Sequence, residues 1–143
     1  MKVKLLLILF TFFLSLALYN QLAPATEAAS YEIASALSST NVSGYIVSID
    51  VLTIDELRRV CDRSDALACT ISEFNDSTDK LEYSKIYISD FKDYTGCKAF
   101  RHTLYHEIGH VEYSYYFGAG GNDSEREGYA NEYAGRFAKN ECN

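Results

Sequence analysis

The chain has 143 residues, enough for one hydrophobic core and too few for two independent domains of about 100–150 residues each. Its formal net charge is −7, and no stripe of lysine and arginine breaks the acidic balance; such a chain is repelled by phosphate backbones and anionic lipids, which disfavours nucleic-acid binding.

At the N-terminus Lys2 and Lys4 precede an uncharged, mainly apolar run from Leu5 to Leu18, and Tyr19, Asn20 and Gln21 restore polarity. The run falls short of the about 20 residues of a membrane span and has the layout of a secretory signal peptide. Residues 1–25 are therefore read as a signal peptide, with Ala23-Pro24-Ala25 as the small-x-small cleavage site and Ala28 and Ala29 as later options. The mature single domain is then 26–143, secreted or periplasmic, and the chain meets a membrane only if the segment is kept as an anchor. Cleavage takes Lys2 and Lys4 with it, which moves the formal charge from −7 to −9.

Four cysteines, Cys61, Cys69, Cys97 and Cys142, follow this segment, and an even count behind an export signal predicts two disulfides. Three pairings are possible, of which Cys61–Cys69 with Cys97–Cys142 is favoured. No C-x-x-C spacing occurs, which argues against a four-cysteine zinc site.

The first element predicted after the leader is a strand, because Tyr45, Val47, Ile49 and Val51 alternate with Ile46, Ser48 and Asp50. Thr53-Ile54-Asp55-Glu56 is a capping box that opens a short helix through Val60. Ala68 to Ile71 is a short strand, Asn75 to Lys80 a turn, and Lys85 to Ile88 a stronger strand bounded by Ser89-Asp90. From Cys97 to Phe117 the period becomes helical. Leu104, Ile108, Val111 and Tyr115 form an apolar stripe nearly opposite His106 and His110, and Gly118, Gly120 and Gly121 end the helix. Ser124-Glu125-Arg126-Glu127 reads as a second capping box, opening a last helix with Tyr129, Ala130, Tyr133, Ala134, Phe137 and Ala138. Strands first and helices later predict an α+β fold, a small antiparallel or mixed sheet packed on the histidine helix and a C-terminal helix.

His106-Glu107-Ile108-Gly109-His110 carries the chemistry. Histidines at i and i+4 of a helix share a face, so both imidazoles can reach one zinc ion at about 2.0–2.1 Å. Glu107 points about 100° around the helix, where it can act as general base on a zinc-bound water. A catalytic zinc keeps three protein ligands and one open position. A metzincin would continue with Gly and His, but Tyr113 and Tyr116 stand there. Glu127 is the expected third ligand, since it shares a helix side with Ala130, Asn131, Ala134 and Ala138. Its competing role is to cap Ser124, Glu125 should point to solvent, and Asp123 precedes the helix. His102, Tyr129 and Tyr133 are further candidates as donors to a tetrahedral intermediate. Gly109 is expected to permit close approach of a neighbouring element. Asn41, Asn75 and Asn122 each begin a glycosylation sequon.

His106-Glu107-Ile108-Gly109-His110 followed by Glu127-Gly128-Tyr129-Ala130-Asn131-Glu132-Tyr133-Ala134 resembles the zinc core of small gluzincins, notably the ImmA/IrrE-type metallopeptidases, over about residues 99 to 138. The resemblance implies zinc on His106, His110 and Glu127 and a catalytic Glu107, within a minimal zincin-like domain. Tyr133 replaces the phenylalanine of the family's helix. Export and disulfides also depart from those relatives, which are typically cytoplasmic and cysteine-poor.

The expected function is thus a monomeric, secreted zinc metalloprotease with one Zn2+, acting on a peptide or protein that pairs with the edge strand Ile86 to Ile88. The alternative is a zinc-stabilised, non-catalytic binding or inhibitory module, its metal closed by a fourth protein ligand such as Asp123 or His102.

Overall fold

Three strands form a mixed sheet in the order β1-β3-β2, with β1 at Ile46–Leu52, β2 at Ala68–Phe74 and β3 at Leu81–Ser89. The structure is a computed structural model and describes residues 27–138. The expected signal segment 1–25, with Ala23-Pro24-Ala25, and Cys142 lie outside the described residues. Among the described residues four helices accompany the sheet: α1 over 27–39, α2 over Ile54–Cys61, α3 over Cys97–Phe117 and α4 over Asp123–Phe137. The architecture is α+β.

Sequence periodicity placed the strands correctly but not their roles. β2 and β3 form an antiparallel hairpin, while β1 runs parallel to β3. The connecting turn is held by Asn75, whose side-chain oxygen accepts from the Ser77 and Thr78 backbone N–H groups. β3 is therefore central and paired on both sides, with Ile86 and Ile88 fully buried. The expectation that Ile86 to Ile88 is the free edge is overturned: a strand's own alternation does not reveal its neighbours, and the edges are β1 and β2, of which β2 borders the cleft lined by His106 and His110.

In β1 a bulge between Ile46 and Ser48 shifts the phase of the alternation. Ile46 and Ile49 consequently both pack on the core, while Val47 is 58% exposed. Helix α1 was not anticipated, although Ala29, Ile33 and Ala36 repeat at helical spacing and face the core. Its Glu32 forms a buried ion pair with Arg101 of α3 at 3.1 Å.

Helix α3 lies between the sheet and α4, so it buries more than a stripe. Phe100, Leu104, Ile108 and Val111 are fully buried beside Ile86 and Ile88, and removing one such side chain from water stabilises the fold by about 1.5–3 kcal/mol. Tyr115, expected in the same stripe, is 44% exposed and packs instead against Tyr45 in a tilted pair with ring centroids 4.9 Å apart. On the α4 side the helices approach closely at Gly109. A Cβ there would stand 2.8 Å from the Ala130 Cα and 3.0 Å from the Tyr133 Cβ, so the residue must be glycine for the axes to come this near.

Cys61 and Cys69 form a disulfide, as expected, which closes the loop between α2 and β2. Cys97 is disulfide-bonded as well.

Candidate metal centre

The cap of α4 leaves Glu127 out of the capping role expected for it. The helix is capped two residues earlier than Ser124: the Asn122 side chain accepts from the Glu125 N–H at 3.0 Å, and the Glu125 carboxylate returns to the Asn122 N–H. Asn122-x-x-Glu125 satisfies the same pattern as Ser124-x-x-Glu127, and tertiary packing selects it. Asp123 thereby becomes the first helical residue rather than a preceding one. Glu127 then lies one turn before Ala130, at the closest point of the α3–α4 crossing.

The crossing brings the three expected ligands together. The Nε2 atoms of His106 and His110 are 3.1 Å apart. The Glu127 carboxylate places Oε2 3.3 Å from His106 Nε2 and Oε1 3.5 Å from His110 Nε2. Neighbouring donors around a tetrahedral ion with bonds of about 2.0–2.1 Å are separated by about 3.3–3.4 Å, so this set fits zinc in both spacing and chemistry. Among the described residues no other group of histidine, cysteine, aspartate or glutamate converges in this way.

The protonation states suit the same role. His106 Nδ1 is 3.1 Å from the Asn131 side-chain oxygen, and an Nδ1–H donated there leaves Nε2 with a free lone pair. Burial, reinforced by the neighbouring His106, pushes the His110 pKa down to about 4, which keeps its imidazole neutral and able to bind a cation.

Glu107 is held against β2, lines the same cleft as the three residues and is only 5% exposed. Its Oε2 accepts from Thr70 Oγ1 at 2.8 Å. Burial pushes its pKa up to about 7; the Thr70 hydrogen bond opposes this, the charge of Glu127 adds to it, and Arg63 opposes it. A carboxyl tuned near neutrality and held at a fixed strand can take up and give back a proton at physiological pH.

These groups line a cleft of about 840 Å³ between β2 and the helix pair, with Thr70 and Ser72 on the strand side and Thr103 and Ser114 on the α3 side. Other residues singled out in the sequence lie elsewhere. His102 is exposed and borders a separate hollow with Lys98 and Ala134. The Tyr129 hydroxyl donates to Glu112 at 2.8 Å, and the buried Tyr133 hydroxyl donates to Thr40 at 3.1 Å, so both phenols are engaged away from the ligand triad. Asp123 lines the cleft without joining the cluster. Thr70 and Arg63 escaped the sequence reading, because only strand order brings Thr70 to Glu107 and only loop placement puts Arg63 on the cleft wall.

Comparison of the chain with protein-family models, with curated protein sequences and with solved structures finds no match.

Proposed function

We propose that the chain is an extracytoplasmic zinc metalloprotease of the small gluzincin type, hydrolysing peptide bonds with Glu107 as general base. The reading is carried by the convergence of Glu127 from α4 with His106 and His110 from α3, beside a buried Glu107. Zinc held by His106, His110 and Glu127 would supply Lewis acidity, lowering the pKa of water to near 7 and polarising a carbonyl. Glu107, oriented by Thr70, accepts the proton of the attacking water and delivers it to the departing amine. Asn131 fixes the His106 ring through Nδ1.

Substrate positioning is assigned to β2. Its inner side is paired with β3, and its residues line the cleft, so an extended peptide can add along its outer edge opposite the ligand triad. The Cys61–Cys69 disulfide supports a location in an oxidising compartment. The non-catalytic alternative needs a fourth protein ligand, and neither Asp123 nor His102 joins the three residues among the described ones.

The decisive experiment combines zinc content after dialysis with cleavage of a peptide library. Wild type is expected to retain one zinc and to cleave. Glu107→Gln should keep the zinc and lose about 10²–10⁴-fold in hydrolysis. Full activity of that variant, or a wild type that retains no zinc, overturns the reading.

A further inference from the structure

Two arginines line the cleft of this acidic chain, and they differ in what they do. Arg126 is committed to the connection between α3 and α4, donating to the carbonyl oxygens of Ala119 at 3.1 Å and Gly121 at 3.4 Å. Arg63 makes a 3.5 Å ion pair with Asp65, and both side chains are largely in solvent, at 65% and 77% exposed. Exposed pairs of this kind contribute at most about 1 kcal/mol, so the guanidinium can exchange Asp65 for another carboxylate at little cost.

The backbone beneath Arg63 is held far more firmly than its side chain. Cys61–Cys69 closes the loop, the Arg63 N–H donates to Arg58 O, and Leu67 O accepts from both the Ser89 N–H at 2.9 Å and the Tyr94 hydroxyl at 2.8 Å. Cys69 is the immediate neighbour of Thr70, which orients Glu107, so the fastened loop carries Arg63 on the wall of the same cleft that Glu107 lines. A planar guanidinium presented from a rigid loop matches a carboxylate in bidentate geometry.

We infer that Arg63 determines specificity by receiving a substrate carboxylate next to the scissile bond, supplied either by a free C-terminus or by an acidic side chain. The inference rests on the metalloprotease reading and names its substrate class: peptides that are anionic close to the cut.

The test uses zinc-loaded wild type, Arg63→Ala and Arg63→Lys on the best-cleaved member of an N-acetylated peptide library. That peptide is also made with an amidated C-terminus and with its acidic residues changed to the amides. Wild type should prefer the anionic form at least tenfold in kcat/KM, with the difference in KM. Arg63→Ala should lose that preference through a raised KM for the anionic peptide, and Arg63→Lys should recover part of it. The arm that abolishes the preference, amidated terminus or amidated side chain, identifies the source of the carboxylate. An Arg63→Ala variant that keeps the wild-type ratio overturns the inference. So does a variant whose kcat falls equally on both peptides, which would move Arg63 to transition-state stabilisation. A wild type that cleaves no peptide overturns the metalloprotease reading itself, an outcome distinct from either.

Discussion

The crossing of α3 and α4 is held by packing, whereas the loop opposite it, Asp62 to Leu67, is held by a disulfide and a few hydrogen bonds to an otherwise exposed segment. At the crossing, Gly109 against Ala130 sets the separation of two helices, and the ligand atoms inherit their spacing from that contact. In the loop, apolar burial is confined largely to Ala66, and covalent and polar ties do the positioning. A metal triad tolerates little displacement, and close packing has little give. A residue that meets a flexible peptide needs only a fixed anchor and a free side chain.

Breaking the crossing should have the largest effect. Gly109→Ala puts a methyl against the Ala130 backbone, which cannot rotate away, so the helices must part. Because the obstacle is backbone, the expected destabilisation exceeds about 3 kcal/mol, the top of the usual overpacking range, and is accompanied by loss of zinc, both measurable by denaturant titration and metal analysis. A variant of wild-type stability that binds zinc normally would show that the contact does not set the ligand spacing.

The buried carboxyl between the two regions gives a pH test in the metal-free protein. Glu107 binds its proton at about 7 in the fold against 4.5 in the unfolded chain, so the folded state holds more protons across that window. This group's contribution therefore falls as pH rises from about 4.5 to about 7. Glu107→Gln removes it, and the variant should gain on wild type over the same range by on the order of 3 kcal/mol. Parallel stability curves for the two proteins would contradict the burial of a charged Glu107.

Cutting the loop free sharpens the contrast. Replacing Cys61 and Cys69 together with serine is expected to lower stability by about 2–3 kcal/mol while leaving zinc stoichiometry unchanged, because no ligand lies between them. Zinc loss in that variant would mean that loop and crossing are one unit. The smallest effect is assigned to Asn131→Ala, which removes the partner of His106 Nδ1 and should weaken zinc affinity by about 10–100-fold in a competitive chelator titration, with the fold intact.

The residue pairs that sequence reading handled well are those joined by one helix. His106, Glu107 and His110 stand in a relation that helical geometry sets by spacing alone, and the Thr53–Glu56 capping box was legible for the same reason. It also favoured the short-range Cys61–Cys69 link. The cap of α4 was misread because two overlapping patterns, at Asn122 and Ser124, satisfy one local rule. Helix α1 went unseen despite its own apolar period.

What the sequence determined by itself is therefore local: which side chains can share a face, and where an element begins. Which strand is the edge, how the bulge in β1 turns Val47 outward, and which phenols reach the cleft were decided by tertiary structure. Glu127 lies between these cases, since its helix side could be read from the chain while its distance from the imidazoles depends on how closely α4 can approach Gly109. The physical reason is that periodicity specifies directions about one axis, and a binding site requires distances between several axes, which close packing alone sets.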